Sequence, residues 1–181
     1  MKKMLFIAIL SLVCIGVNAQ DRLSFEKVIK ADSVSKNDIY VSVKEWIGIN
    51  YVSAKAITEI DDKEAGLIIV SPLTDYGFNN KLTYACYSGT LKYVVKFQIR
   101  DNRFKVEITN FVHDVKIGNS QGCRLGILTV AEETDSKAAL KSYNDKVWAD
   151  LKQKAEVLAN NLFERIESIE FNNSSNSEDD W

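Results

Sequence analysis

The chain has 181 residues and a formal net charge of −2, from 23 Lys and Arg against 25 Asp and Glu. A mildly acidic protein is a poor match for a polyanion, so nucleic acid is not an expected partner. One histidine and three scattered cysteines do not provide a zinc site in a known spacing. A glycine-rich phosphate loop is also missing from the sequence, so no cofactor is expected.

The first twenty residues, MKKMLFIAILSLVCIGVNAQ, are organised as a secretory signal peptide. Two lysines precede an apolar run that ends at Val17, and Val17 and Ala19 occupy the −3 and −1 positions of a cleavage site. The run is shorter than the roughly 20 apolar residues that span a bilayer. We expect residues 1–19 to be removed before Gln20. The mature protein would then be periplasmic or extracellular, with no transmembrane segment.

The sequence assigns no definite role to the three cysteines. Cys14 is a poor site for lipid attachment, because Val13 precedes it where a small residue is typical. After cleavage only Cys86 and Cys123 remain, and an oxidising compartment permits a bond between them. Free structural thiols are equally consistent with the sequence, so the pairing stays open.

A strand and a helix are predicted first. Residues 22–30 favour a strand, and Ser35 and Asp38 have the spacing of a capping box, which satisfies free backbone donors at a helix start. The apolar residues that follow share one helical face: Ile39, Val43, Trp46, Ile47 and Tyr51. The pattern predicts an amphipathic helix over residues 36–51.

Three more strands are predicted before residue 88. The turn DDKEAG separates runs at 56–61 and 66–71, as in a hairpin. Pro72, the only proline, should end the strand pairing locally or lie at a sheet edge. Residues 81–87 have the composition of a further strand.

The clearest element is the segment LKYVVKFQIRDNRFKVEITNFVH, residues 91–113, in which apolar and polar residues alternate. The two-residue turn DN pairs Ile99 with Phe104 at one end of the hairpin and Leu91 with Val112 at the other. Both apolar sets then lie on the same side. The segment therefore predicts a long hairpin with one buried face.

The rest of the chain is an irregular segment followed by a helix. Residues 114–136 contain glycines and one short apolar run, and residues 137–171 contain neither Gly nor Pro. The helical stripe is formed by Val147, Trp148, Leu151, Ala155, Leu158, Leu162, Ile166 and Ile169. The polar tail 172–181 is expected to be disordered, and residues 20–171 to form a single domain. This order predicts an α+β fold, a single antiparallel sheet with two helices packed on one face.

The solvated face of the hairpin is the first candidate site. Its basic residues are Lys92, Lys96, Arg100, Arg103 and Lys105. Recognition of nucleic acid by a sheet face also needs exposed aromatic rings, and Phe111 alone falls on this face. We expect an ordinary solvated face, or a partner contact through Lys92, Lys96 and Lys105.

An aromatic cluster is the second candidate. Tyr76, Phe78, Tyr84 and Tyr87 are close in sequence, and alternation along the predicted strand places Tyr84 and Tyr87 on opposite faces. One of the two would then be exposed as a ligand or protein contact. Alternatively, the cluster packs under residues 114–136.

Catalytic and metal-binding residues are not expected. His113 ends a predicted strand, and no nucleophile motif surrounds a serine or cysteine that it could activate. Asp61, Asp62 and Glu64 lack the spacing of a calcium loop. These three are residues that commonly build turns.

Several local patterns resemble a known family. They are the leader ending NAQ, the helix end KEWIGINY, the turn IDDKEAGLIIV and the hairpin GTLKYVVKFQIRDNRFKVEITNF, which together span roughly residues 22–113. The chain resembles an uncharacterised family of exported Bacteroidetes proteins, described as a domain of unknown function with a TBP-like fold. The resemblance implies β-α-β(4)-α order, similar to one half of the TATA-binding saddle, and brings no activity or site residues. Residues 114–136 depart from the family pattern.

Two functions remain. The first is an exported, non-catalytic binding or envelope-interaction domain whose ligand is a protein, a small molecule or a glycan, and which uses the open sheet face or residues 114–136. The alternative is a hydrolase that acts on an envelope or dietary polymer through a pair of carboxylates.

Overall fold

A computed structural model describes residues 21–78, 82–115, 123–135 and 138–171. The predicted signal peptide and the polar tail lie outside the described residues. The elements are β1 Phe25–Lys30, α1 Lys36–Asn50, α2 Ala54–Ile57, β2 Thr58–Asp62, β3 Leu67–Val70, β4 Leu73–Tyr76, a 3-10 helix Leu82–Tyr87, β5 Gly89–Arg100, β6 Arg103–Val115, β7 Gly126–Ile127 and α3 Ala138–Glu167.

All strands form one antiparallel sheet in the order β1-β6-β5-β3-β2. Strand β4 follows β3 along β5, and the short β7 pairs with β6. Helices α1 and α3 pack against strands β1, β5 and β6 and share one buried core with them. The predicted α+β fold is confirmed, with the short α2 as an additional helix.

Helix α1 begins as its sequence predicts. Ser35 is the N-cap, and its side chain accepts a hydrogen bond from the backbone N–H of Asp38 at 3.2 Å. Ile39, Val43 and Ile47 are buried against the sheet. One face of the helix therefore meets the core, as the apolar spacing requires.

Helix α3 crosses the same sheet face. The predicted stripe is buried at its centre, where Leu151 and Ala155 have no exposed surface, whereas Leu158 is only half-buried. Ala159 and Phe163 complete the buried face. Among the described residues, no helix combines the length and the apolar composition needed to cross a membrane.

The register of the β5–β6 hairpin is confirmed from Arg100 as far as Val94, which pairs with Thr109. Beyond that point a β-bulge gives β6 one extra residue, so Lys92 pairs with Val112. Asn110 has a φ of +54°, a left-handed conformation that asparagine tolerates better than most residues.

The bulge exchanges the two sides of β6. Phe111 and His113, both fully buried, point into the core. The predicted pairing of Leu91 with Val112 is therefore wrong, because Leu91 pairs with His113. The predicted position of Phe111 on the solvated face is wrong for the same reason.

The strand predicted over 81–87 is wrong as well. Residues 82–87 form the 3-10 helix, in which Cys86 is bonded to Cys123 across a Cα–Cα distance of 5.9 Å. The next residue, Tyr87, is buried beside α3. A strand would point these two neighbouring side chains in opposite directions, so the disulfide and the buried tyrosine together favour a helical turn.

Candidate functional site

The lysines of the open sheet face differ in their surroundings. Lys105 forms an ion pair with Glu26 at 2.5 Å, and Lys96 lies 3.8 Å from Glu107. Lys92 is exposed near the far end of β5. Half-exposed cross-strand pairs of this kind are typical of a solvated sheet face and contribute little to stability.

The candidate tyrosines pack against α3. Tyr87 is 2% exposed, and its hydroxyl donates to Oδ1 of Asn144 at 2.5 Å. Tyr84 is half-buried, with its ring edge-on to Phe78 at 4.5 Å and to Tyr143 at 5.7 Å. The cluster therefore joins the 3-10 helix to the beginning of α3, and Tyr87 has no surface to offer a partner.

His113 is a buried structural residue. Its Nδ1 accepts from the backbone N–H of Leu125 at 3.3 Å, so Nε2 carries the proton and donates to the carbonyl of Tyr87 at 2.9 Å. Burial lowers the pKa of His113, although the hydrogen bond to Tyr87 opposes this shift. Both nitrogens are satisfied by backbone groups.

The acidic residues at the end of β2 also have a structural explanation. Asp61 accepts from the Tyr40 hydroxyl and from Lys44 at 2.5 Å, and these bonds, Lys44 first, lower its pKa. Asp62 accepts from the backbone N–H of Ala65 at 2.8 Å. Within the described ranges, no three His, Cys, Asp or Glu side chains are placed to hold a metal ion.

A groove of about 680 Å³ lies between β4 and α3 and is here called the β4–α3 groove. Its apolar lining is formed by Leu73, Leu91, Tyr93, Val157, Leu158 and Leu162. Its polar lining includes Gln153, Lys154, Asn161 and Arg165. An apolar surface bordered by a few polar groups is the usual composition of a binding site.

Two carboxylates also line this groove, Asp75 and Asp150. Asp150 already accepts from the Tyr76 hydroxyl at 2.8 Å and pairs with Lys154 at 3.1 Å. Burial and this hydrogen bond raise the pKa of Tyr76. Lys154 also donates to the carbonyl of Gly77 at 2.8 Å. These contacts connect α3 to Tyr76 and to Gly77. Asp150 therefore has a structural role in this connection.

The outer edge of β4 is the groove's second feature. The carbonyl of Pro72 accepts from the N–H of Tyr93 at 3.1 Å, so the backbone groups of Pro72 face β5. Backbone direction alternates in an antiparallel pair, so the N–H and C=O of Leu73 point away from β5. The preceding outward donor, Ser71, is paired with Ile57 at 2.8 Å.

The described residues provide no strand beyond Leu73 on that edge. The chain before Thr58 is the helix α2, and Thr58 pairs with Val70 at the end of β3, so β2 does not extend along β4. The buried hydroxyl of Ser71 has no hydrogen-bond partner in the described chain, and the hydroxyl of Tyr51 lies beside that of Tyr93. Ser71 precedes β4, and Tyr51 is close enough to Tyr93 to affect its pKa.

The sequence contains one signal for this edge, which is Pro72. Pro72 was expected to end pairing or lie at a sheet edge, and it separates β3 from β4 within the line of residues that face β5. The groove itself was missed. Its other wall is α3, which follows β4 in the chain by more than sixty residues, and no local pattern encodes that contact.

Comparison with known proteins supports the fold. A crystal structure of a TBP-like protein from Parabacteroides distasonis has a TM-score of 0.56 and 17% identity, covering 82% of this chain and 95% of that one. A DUF4468 family protein from Bacteroides ovatus has a TM-score of 0.57 and 13% identity, covering 84% and 89%. Among curated proteins there is no match. The model of one family, a domain of unknown function (DUF4468) with TBP-like fold, matches residues 25–114. Residues 25–114 of the chain therefore belong to the DUF4468 family, whose fold is TBP-like.

Proposed function

We propose that the chain is an exported, non-catalytic binding domain, and that it binds an extended polypeptide segment along β4. The observation that carries the proposal is the outward-facing backbone of Leu73 beside the β4–α3 groove. An added strand obtains its affinity from main-chain hydrogen bonds to such an edge. Pockets for alternate side chains then provide its specificity.

The groove fits the alternation of an added strand. Side chains on one face of that strand would point toward α3, where Val157 and Leu158 offer apolar contact and Asn161 offers hydrogen bonds. Side chains on the other face would remain in solvent beside Leu73, which is 63% exposed. The expected ligand is a segment with apolar residues at every second position.

Two observations support export. Residues 1–19 have the organisation of a secretory leader, with Ala19 at the cleavage position. Cys86 and Cys123, the cysteines outside that leader, form a disulfide, and such bonds persist mainly in oxidising compartments. Mass spectrometry of the protein secreted by its natural host tests this part, because an intact N-terminus or a lipid on Cys14 would contradict it.

A backbone substitution tests the binding mode. In Leu73→Pro the outward N–H is lost, while the bonds from β4 to β5 remain, because proline is tolerated at such edge positions. The matched control Leu73→Thr changes the side chain and keeps the N–H. Leu73 is largely exposed, so both variants are expected to fold.

The probe is a displayed library of random heptapeptides, selected on the immobilised mature protein. Wild type and Leu73→Thr should enrich peptides with alternating apolar residues, and Leu73→Pro should bind those peptides at least tenfold more weakly in a calorimetric titration. Equal binding by Leu73→Pro would contradict strand addition at β4. Failure of the wild type to enrich any peptide would contradict the proposed function itself.

A further inference from the structure

The tip of the β5–β6 hairpin carries three cations in one row. Lys30 of β1 pairs with Arg103 of β6, and Arg103 pairs with Arg100 of β5. Directly paired residues on adjacent antiparallel strands project from the same face, with Cβ atoms roughly 4.5–5.5 Å apart. Lys30, Arg103 and Arg100, here called the tip row, therefore lie side by side on the open face.

The tip row differs from the two rows that follow it. In the next row Lys105 is paired with Glu26, and in the row after it Lys96 lies near Glu107. For Lys30, Arg100 and Arg103, the described residues provide no ion pair within 4.0 Å. Like charges placed opposite one another destabilise a sheet, so this row lowers stability unless an anion joins it.

The acidic residues near the tip do not neutralise the row. Asp101 lies in the turn and accepts from the backbone N–H of Lys36 at 2.8 Å, at the start of α1. Asn102 accepts from the backbone N–H of Ser33 at 3.0 Å. Asp32 is exposed, and together with Asp101 and the three cations it lines a concavity of about 480 Å³. The turn's polar side chains are thus directed to the α1 side, and the cations to the open face.

We propose that the tip row docks the protein on the phosphate groups of an anionic phospholipid surface. All three side chains are exposed, and the concavities beside them, of about 480 and 250 Å³, are shallow. A single small anion in such a wet site would be held weakly, because exposed charge pairs are screened. A surface dense in phosphates contacts all three cations together.

An exposed aliphatic residue extends this contact. Val28 is 58% exposed, and it precedes the tip row by one position on the open face of β1, opposite Lys105. Together the row and Val28 form a basic surface with an apolar neighbour at one end of the sheet. A bilayer interface offers phosphates and apolar material at similar depth.

Co-sedimentation with vesicles tests the docking. The mature protein should bind vesicles of phosphatidylglycerol mixed with phosphatidylcholine, should not bind phosphatidylcholine alone, and should be released by added salt. Arg100→Gln with Arg103→Gln should weaken binding about fivefold for each arginine removed, as expected from the contribution of a basic residue near an anionic surface. The charge-preserving pair Arg100→Lys with Arg103→Lys should retain most of the binding.

A matched control removes two positive charges elsewhere. Lys55→Gln with Lys146→Gln changes exposed lysines of α2 and α3 outside the tip row, and should bind vesicles like the wild type. Equal loss in both double variants would show a net-charge effect and overturn the tip-row assignment, as would no loss in either. Binding of inorganic pyrophosphate without vesicle binding would identify a free phosphate and overturn the membrane source. Leu73→Pro should bind vesicles normally, so this proposal and the peptide proposal can fail separately.

Discussion

The two ends of the β5–β6 hairpin are built by different rules. At the tip, Ile99 pairs with Phe104 in the register that the two-residue turn dictates. At the far end, the bulge at Asn110 shifts the register, and buried residues from elsewhere in the chain meet β6. The tip is determined by local alternation, and the far end by contacts between distant segments.

The far end combines three such contacts. The disulfide from Cys86 connects the 3-10 helix to Cys123. His113 bonds the backbone of Tyr87 on one side and of Leu125 on the other. The residues that these contacts bring to β6, namely Cys86, Tyr87, Cys123 and Leu125, all lie outside the strands. Their stability must therefore come from specific bonds, whereas the tip depends on packing of a continuous apolar face.

The largest effect on stability is expected at the tip of the β5–β6 hairpin. Phe104 is 1% exposed, and its ring lies edge-on to Phe171 at 6.1 Å. Phe104→Ala should lower the free energy of unfolding by about 3–5 kcal/mol, because it removes buried apolar surface and leaves a cavity. Urea denaturation measures the loss.

A second stability prediction compares Leu158→Ala with Leu151→Ala, two leucine truncations on α3. Leu158 is only half-buried on the floor of the β4–α3 groove, so its truncation should cost clearly less than the roughly 2–5 kcal/mol of a buried leucine such as Leu151. Equal losses in Leu158→Ala and Leu151→Ala would mean that the groove is closed in solution. Such a result would also weaken the peptide proposal.

The next largest effect on stability is expected at the far end of the hairpin. The disulfide closes a loop with a sequence separation of 37, for which chain entropy gives about 4 kcal/mol of stabilisation as an upper value. Cys86→Ala with Cys123→Ala should therefore lose about 2–4 kcal/mol. Hydrogen exchange should show the loss of protection around Tyr87 and Leu128, with amides near Phe104 unchanged. Uniform loss of protection would mean that the two ends do not unfold separately.

The sequence predicted the elements whose determinants are local. Ser35 and Asp38 marked the start of α1 because a cap acts within one helical turn. The turn DN set the tip register because hairpin geometry acts within a few residues. The errors lie at the far end. Asn110 gave no visible sign of a bulge, since asparagine is common on exposed strand faces and in turns alike, and the 3-10 helix depends on a disulfide that spacing left undecided.

The candidate site divides in the same way. Pro72 indicates a sheet edge, because the restriction that proline imposes on strand pairing is local. The basic face was also visible, since alternation places Lys96 and Lys105 together. The uncompensated tip row was not recognised, because Lys30 joins it only through the pairing of β1 with β6. The location of a partner strand cannot be inferred from the alternation of either strand alone.

A smaller effect is expected at the bulge itself. Asn110 has a φ of +54°, and its Oδ1 accepts from Arg22 at 3.3 Å. Asn110→Ala should cost about 1–2 kcal/mol, because a left-handed conformation is unfavourable for a residue with a Cβ and no local hydrogen bond. Asn110→Gly should cost less, since glycine adopts positive φ readily. The two variants differ only in the Cβ methyl. Equal melting temperatures would therefore show that the positive φ at residue 110 does not destabilise the alanine variant.

The smallest effect should be seen only in acid. Burial lowers the pKa of His113 below its usual 6.5, so the unfolded chain binds the proton more tightly than the folded protein. The stability contributed by the neutral ring is therefore complete above pH 6.5 and is lost as the pH falls below that value.

His113 is the only histidine in the chain, which makes its contribution separable from that of other groups. The carboxyls of Asp61 and Asp145, whose pKa values are lowered from 3.8, act only in stronger acid. Urea midpoints above and below pH 6.5 should differ more for the wild type than for His113→Gln, whose amide can still accept from Leu125 and donate to Tyr87. If the two proteins lost stability in parallel as the pH fell, protonation of His113 would not be what destabilises the far end. If amides near Phe104 lost protection along with those near Tyr87, acid would act on the whole sheet and the contrast between its two ends would fail.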